Sequence, residues 1–432
     1  MAMQQLSQME RFVFVPTPAA VGGLRLGKLT LFLSSALVVL AFIPLVPPVD
    51  VLEGGITTRG LIEFGLMIAG LLFLVTYAAN RQQLWFDFRT PAFVLISVFT
   101  FWAVLSSIWS PNPVLTVAKS AELWCIAVVA ALLVALAQRM HPKLNLGAVL
   151  GLSLVAVIAG MILANLFIWG TALPNTGDGA LPLDLIDEEP SPERPRLMLA
   201  YAHPLLTGDL LSLAVICLVA SNLRKVLKVV LIPGLMVLLW LTDARGPTGG
   251  LIVALIAMTT LMLRRNDVRG LALTLTLSTC LAVALVFQNQ LPAAVAPLIS
   301  DDVPTLNSRT DLWEKTVTHI FNQPILGTGY YGSRYVLVKD FYWAGHAHNS
   351  FLEVQLTTGL IGSLMLIGFV LYLFREIVIT RSVLLLGVTM HCLIQGMLNP
   401  LLFYPGLAMF VVTVAALNAR AQHEVTVREP AV

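Results

Sequence analysis

Long apolar segments recur along the whole chain, and they restrict its possible folds more than any other feature. A helix that crosses the hydrocarbon core of a bilayer needs about 20 mostly apolar residues. Hydrophobic residues make up 57% of the chain and charged residues only 12%, whereas soluble domains carry about 25% charged residues. We therefore predict an all-α, polytopic membrane protein with about 12 transmembrane helices. The predicted spans are 28–46, 59–79, 91–109, 118–137, 146–168, 203–221, 228–243, 247–263, 269–287, 350–374, 381–397 and 400–418.

The distribution of basic residues predicts the orientation of these helices. With the N-terminus in the cytoplasm, every inner loop contains lysine or arginine, as the positive-inside rule requires, and few acidic residues lie in the inner loops. An even number of spans then places both termini in the cytoplasm. The net charge of +2 gives no reason to expect a nucleic-acid partner. We divide the chain into 1–287, with the first spans and an outer loop at 169–202; 288–349, a large outer loop; and 350–432, with the last spans and a tail.

The large outer loop is rich in aromatic residues, which argues against disorder. The spacing of Leu312, Val317 and Ile320 predicts a helix over 307–323 that lies along the membrane surface. Such a loop is expected to contain short helices and functional residues. Among its aromatic residues, Tyr330 is a candidate for contact with a substrate.

The densest group of polar residues lies where the large loop re-enters the membrane, in His346-Ala-His348-Asn349-Ser-Phe-Leu-Glu. A histidine at this boundary can accept a proton near neutral pH, and Asn349 can orient it or a substrate hydroxyl. Two other interpretations stay open, namely interfacial polar residues that end a loop and a His-x-His metal pair. Because no cysteine or third histidine accompanies the pair in sequence, we predict neither a metal nor another cofactor. The nearby Gly359 and Gly362 predict close approach of another helix.

Arginines on the outer side form a second group of candidates. Arg245 lies between the seventh and eighth spans, Arg309 lies in the large loop, and Arg194 and Arg196 end the acidic loop just before His203. Guanidinium groups bind phosphate through paired hydrogen bonds and stay charged, and an arginine near the membrane is costly unless it is paired. Local ion pairs are the alternative: Arg245 with Asp243, Arg309 with Asp311, and Arg196 with Glu193.

Polar residues within the apolar segments are weaker candidates. Asp209, near the outer end of the sixth span, is expected to contact either substrate or another helix. His391 and Gln395 are one helical turn apart, which predicts hydrogen bonds to another helix. Lys119 and Glu122 predict a structural ion pair at the start of the fourth span.

Together these residues resemble the O-antigen ligase and polymerase superfamily of bacterial envelope glycosyltransferases. The order and spacing of the pieces match across about 100–350. The pieces are Trp109-Ser-Pro-Asn-Pro113, His203-Pro204, Arg245-Gly246, Ser308-Arg309 with Trp313, Pro324-Ile-Leu-Gly-x-Gly329, and His348-Asn349-Ser350 with Gly359-x-x-Gly362.

The resemblance implies a GT-C-like helical glycosyltransferase in the bacterial inner membrane, with a periplasmic site, membrane lipid around it and no metal. Such proteins use glycans linked to undecaprenyl diphosphate; a ligase transfers the glycan to lipid A–core, and a polymerase transfers it to a second lipid-linked glycan. Our hypothesis is that Arg245 and Arg309 bind the diphosphate and His348 is the general base. The expected substrate-binding residues are His346, Asn349, Arg196, Arg194, Asp209, His203 and Tyr330.

We favour a ligase, because the spacing from His348-Asn349-Ser350 to the paired glycines is intact. A polymerase of O-antigen or exopolysaccharide is the alternative within the superfamily. A secondary transporter is a different class that often has twelve spans. Transporters, however, often show repeated halves and polar residues near the midplane. Here no halves match, and the polar residues gather at the outer face. A scaffold role in envelope assembly is the third alternative.

Overall fold

The structure is a computed structural model that describes residues 21–45, 58–80, 90–140, 144–167, 197–199, 202–264, 309–341 and 344–428. Regular structure in these ranges is helical, as the apolar segments predict. A 3-10 turn at Ser106–Ile108 follows the third helix. The helices are α1 (Val21–Ala41), α2 (Thr58–Asn80), α3 (Pro91–Leu105), α4 (Pro113–Met140), α5 (Leu146–Phe167), α6 (Pro204–Ala220), α7 (Lys225–Leu241), α8 (Arg245–Arg264), α9 (Arg309–Asn322), α10 (Ser333–Leu337), α11 (Ser350–Thr380), α12 (Val383–Gly396) and α13 (Leu407–Arg428).

The described helices overlap all the predicted spans except 269–287, which lies outside the described residues. Within the described ranges, 6 helices are long and apolar enough to cross a membrane, namely α2, α4, α5, α8, α11 and α3 extended through the 3-10 turn to Ile108. The apolar stretches Gly27–Ala41 of α1, Pro204–Ala220 (α6) and Val383–Gly396 (α12) are shorter. The prediction of an all-α membrane protein is therefore confirmed. The count of about twelve spans and the GT-C-like arrangement stay predictions.

The helix α13 forms the centre of the bundle. Its residues from Leu407 through Ala419 are all buried, and it packs against α3, α4, α11 and α12. A helix that is apolar and buried on every side belongs inside a protein rather than against lipid. The core of the molecule therefore surrounds this helix.

The predicted start of the last span, at residue 400, is wrong by several residues. The helix α13 begins at Leu407, after a buried loop that contains Leu402 and Phe403. Pro400 and Pro405 lack the backbone N–H that a helix interior requires. The loop is apolar because it packs inside the protein, so hydropathy alone mistook it for part of a span.

The helix α11 is broken at Gly359, where φ is 66° and ψ is −164°. A segment of the large loop packs into the break. There the Leu360 N–H donates to the Pro324 carbonyl (2.9 Å), and the Gly329 N–H donates to the Thr357 carbonyl (2.9 Å). Through these hydrogen bonds, the motif Pro324-Ile-Leu-Gly-x-Gly329 joins the large loop to α11, the helix that begins directly after the histidine motif.

Glycine is required where these two backbones meet. A Cβ on Gly327, whose φ is +68°, would lie 2.6 Å from the Gly359 nitrogen. The close approach predicted at Gly359 is therefore real, but a loop makes it rather than a helix. At Gly362, the position of a Cβ is instead close to Thr358 of the preceding turn and 3.4 Å from Phe99 of α3.

Candidate functional site

The helix predicted in the large loop is confirmed as α9, whereas its position along the membrane surface stays a prediction, and a small second core lies beneath it. Leu312 and Thr316 form its buried face, whereas Val317 is 38% exposed, so that part of the predicted face was wrong. The second core comprises Leu312, Leu337, Ala344, Ala347 and Leu356. Ala344 and Ala347 belong to this core. The turn at 346–348, which leads into α11, therefore packs against a fixed support.

Both backbone groups of Ala347, which separates the two histidines, are held by side chains from other elements. The Trp313 Nε1–H donates to the Ala347 carbonyl (3.0 Å), and the Ala347 N–H donates to the Glu353 carboxylate (2.8 Å). The other oxygen of Glu353 accepts from Ser333 Oγ (2.6 Å). These bonds fix the turn at 346–348. The sequence analysis gave Glu353 no role, although a carboxylate in an apolar helix needs buried donors.

The two imidazoles of the turn lie against each other. The ring centroids of His346 and His348 are 4.1 Å apart, and the His348 N–H donates to His346 Nδ1 (3.2 Å). Since Nδ1 accepts this bond, the neutral His346 ring carries its proton on Nε2. His348 adopts a left-handed backbone with φ of 48°, which costs about 1–2 kcal/mol in a residue with a Cβ.

Arg309 and His203 lie close enough to act electrostatically on both histidines. Burial, followed by the charges of Arg309 and His203, lowers the pKa of His346 to about 4. Burial, followed by the charges of His346, Arg309 and His203, lowers the pKa of His348 to about 2. Both imidazoles are therefore neutral, and able to accept a proton, at neutral pH. In the described part of the chain Arg309 forms no ion pair, so the predicted alternative with Asp311 is not seen.

Asn349 and His203 each cap a helix. The Asn349 Oδ1 accepts from two backbone N–H groups of the first turn of α11 (2.9 and 3.1 Å), and its Nδ2 donates to the Met397 carbonyl (3.1 Å). The His203 Nδ1 accepts from the Leu205 N–H (3.2 Å) at the start of α6. Caps of this kind satisfy orphan donors of a helix. Both residues thus have a structural role in addition to their predicted contact with substrate.

Arg245 is the first residue of α8, and it lies beside the turn at 395–399. A Cβ on Gly246 would lie 3.3 Å from a Leu398 methyl group, so the start of α8 packs directly on that turn. Asn349 donates to the same turn from the other side. Arg245 and the re-entry point therefore meet at one short segment. Arg194 and Arg196 lie outside the described residues.

Strained backbone concentrates around this region. Among the described residues, the non-glycine residues with left-handed φ are Asp243, Tyr331, His348, Arg381 and Phe403. Arg381 caps the end of α11, which is an ordinary place for such a residue. Asp243 precedes the arginine of α8, and the other three lie in the turns around the histidine pair. Residues held in such conformations cluster at functional sites, so the strain supports a functional role here.

Two of the residues predicted to contact substrate are buried and form hydrogen bonds to other residues of the protein. Asp209 is 2% exposed, and its carboxylate bonds His391 Nε2 (3.2 Å) and Gln395 Nε2 (3.5 Å) of α12. This confirms the interhelical bonds predicted for His391 and Gln395, and it matches the helix-packing alternative for Asp209. Tyr330 is 3% exposed, and its hydroxyl donates to the Phe403 carbonyl (3.0 Å).

The arrangement defines a class of protein. It is a helical membrane protein in which a neutral histidine pair on one fixed turn lies within electrostatic range of an arginine at the start of α9. Across the described ranges, no group of three or more His, Cys, Asp or Glu side chains is placed to hold a metal ion.

Residues 210–367 match a family model described as O-antigen ligase. Over these residues the match confirms the resemblance to the O-antigen ligase superfamily that the motifs indicate. The matched stretch contains Arg245, Arg309, His346 and His348. A comparison with curated proteins gave no match.

Proposed function

We propose that this protein is an O-antigen ligase. It transfers a glycan from undecaprenyl diphosphate to a hydroxyl of lipid A–core, on the periplasmic face of the bacterial inner membrane, without a metal. The observation that carries the proposal is the histidine pair, held on one fixed turn within electrostatic range of Arg309. The family match over 210–367 supports a glycosyl transfer of the O-antigen ligase and polymerase type.

The donor defines two tasks for the enzyme. The oxygen of the acceptor hydroxyl attacks the anomeric carbon of the glycan, and the bond from that carbon to the diphosphate breaks. Arg309 stabilises the negative charge that develops on the diphosphate, because it is half-buried and forms no ion pair with a described residue. Arg245 provides a second guanidinium at the start of α8, and paired hydrogen bonds from such groups suit phosphate oxygens.

The other task is to accept the proton of the acceptor hydroxyl, and His348 has this role. The neutral imidazole is the form that accepts a proton, and the low pKa of His348 keeps it neutral. When the diphosphate binds at Arg309, its negative charge opposes the charge of the guanidinium and raises the pKa of both histidines. The base therefore becomes stronger once the donor is bound. Such proton transfer contributes about 10²–10⁴-fold to a rate.

The deciding experiment is a transfer assay with the purified full-length protein in lipid nanodiscs. It is given glycan on undecaprenyl diphosphate, with EDTA, and either lipid A–core or no second acceptor. Product that requires lipid A–core supports the ligase. A ladder of longer lipid-linked glycans without lipid A–core makes the protein a polymerase, which is the alternative. Folded protein that makes neither product overturns the proposal.

A further inference from the structure

We propose that Tyr331 and Tyr404, together with the ion pair of Lys119 and Glu122, form a subsite for the acceptor saccharide next to the histidine pair. The inference rests on the proposed glycosyl transfer. It assigns a ligand to residues that the sequence analysis left without a functional role.

The two tyrosines form a row that ends at the histidine turn. Their rings stack with centroids 5.1 Å apart and an interplanar angle of 28°, and a hydrogen bond of 2.7 Å joins their hydroxyls. The ring of Tyr404 meets the ring of His346 edge-on, with centroids 6.1 Å apart. Both tyrosines are half-buried, so a ligand can reach them. A saccharide bound along this row would present a hydroxyl near the proposed base.

The far end of the row is an ion pair. Lys119 Nζ lies 5.4 Å from the centroid of the Tyr331 ring and 2.7 Å from the Glu122 carboxylate. The predicted structural pair is therefore present, but the side chain of Lys119 is 19% exposed and borders the tyrosines. Aromatic rings, hydroxyls and an ion pair offer donors, acceptors and apolar surface without an unpaired cation. That combination suits a neutral ligand with many hydroxyls.

The backbone of both tyrosine loops is strained and firmly held. Tyr331 has φ of 63°, and Phe403, which precedes Tyr404, has φ of 53°. Tyr330 joins the two loops, because its hydroxyl donates to the Phe403 carbonyl and its own N–H donates to Ser106 Oγ (2.8 Å). Buried bonds thus hold the tyrosine pair in a conformation that the chain would not adopt by itself.

Charge distinguishes the acceptor from the donor at this subsite. Burial is the main cause of the low pKa of both histidines, and the charge of Arg309 adds to it; that charge suits the diphosphate of the donor. The tyrosine row contacts His346 as well, but the carboxylates of Glu122 and Glu63 both act on its lysine, so the row does not favour an anion. A neutral sugar ring of the acceptor therefore fits the row, and the donor anion fits the arginine.

The test compares Tyr331→Phe, Tyr404→Phe and the double variant with a matched control, Tyr335→Phe. Tyr335 lies in the same loop as Tyr331 but outside the row, and its hydroxyl accepts from Asn112 Nδ2 (2.6 Å). We expect the KM for lipid A–core to rise about tenfold in the double variant, because the hydrogen bonds to a bound saccharide are lost. The KM for the undecaprenyl-diphosphate glycan, kcat and all constants of Tyr335→Phe should stay within about twofold of wild type.

Three results would overturn the inference. These are unchanged constants in the double variant, a rise confined to the KM of the donor, and an equal rise in Tyr335→Phe. Failure of the wild-type protein to transfer glycan would instead be a failure of the proposed function. In that case, binding of delipidated core oligosaccharide to the wild-type and double-variant proteins still decides the matter. Weaker binding by the double variant supports the subsite, and equal binding overturns it.

Discussion

Two clusters in this protein contain histidine, and they differ in exposure and backbone. The network of Asp209, His391 and Gln395 joins two regular helices, and all three side chains are buried. The pair of His346 and His348 lies on a strained turn, is only partly buried and lies within electrostatic range of an arginine. The comparison teaches that a histidine enclosed by helices holds the bundle together, whereas one on strained, accessible backbone is available for chemistry.

The helix α8 packs so closely against α12 that no ligand can reach the buried network, and glycines of α8 allow this close packing. A Cβ on Gly250 of α8 would lie 2.9 Å from His391 Nδ1, and Gly246 lies similarly close to the Gln395 side chain. The helices α8 and α12 pack more extensively than any other pair in the described ranges. The same contact that excludes a ligand also holds the start of α8, and with it Arg245.

The largest expected difference between the clusters comes from removing one histidine of each. His348→Ala should reduce the initial rate of glycan transfer about 10²–10⁴-fold, because the proton acceptor is lost. Its melting temperature should stay nearer to that of wild type than that of His391→Ala, since the His348 side chain is only partly buried. His391→Ala should lower the melting temperature and retain the transfer rate per folded molecule. A fully active His348→Ala protein would break the comparison.

The next effect concerns stability. Asp209→Ala leaves the buried donors of His391 and Gln395 without their acceptor, which costs about 1–3 kcal/mol for each such group. Asp209→Asn keeps an acceptor oxygen and should cost less. Thermal unfolding in detergent measures the difference, and transfer by the folded fraction should persist. Loss of transfer in a stable Asp209→Ala protein would assign this residue to the substrate instead.

A smaller effect is expected from the residue that positions the histidine turn. Glu353→Ala removes the acceptor of the Ala347 N–H and of Ser333 Oγ, so the turn loosens. We expect kcat to fall about 10–100-fold with little change in KM, because misplacement of a reacting group is costly. Glu353→Gln retains an acceptor oxygen and should restore most of the rate. A glutamine variant as poor as the alanine variant would show that the carboxylate has another role.

The smallest expected effect concerns the pH dependence of kcat/KM. The profile of kcat/KM reports groups of the free enzyme, and the pKa of His346 is about 4 and that of His348 is about 2. Protonation below these values removes the base, so kcat/KM should stay flat from about pH 8 to about pH 5 and fall only at more acid pH. Arg309→Gln removes a positive charge and should move the acid limb upward. A wild-type limb near pH 6.5, the ordinary histidine pKa, would contradict the described electrostatics.

Some parts of the site could be predicted and others could not. The helix α9 and the motif around His348 follow from local spacing and capping, so both were found. The sequence does not distinguish the buried Tyr330 from the more accessible Tyr331, because adjacent aromatic residues in a loop have no periodicity that indicates which side chain is buried. The apolar run at 400–406 was read as a span, because composition does not distinguish burial in protein from burial in lipid.

Composition and periodicity were enough to identify a helical membrane protein, because runs of about 20 apolar residues are what a membrane-spanning helix requires. Local sequence also located the polar cluster at 346–353. The fold alone revealed that Glu353 and Trp313 hold the histidine turn, that Asp209 joins two helices, and that Tyr404 lies beside His346. Each of these contacts joins residues from different elements, some of them far apart in the chain. Local spacing cannot specify such partners, because packing of the whole bundle brings them together.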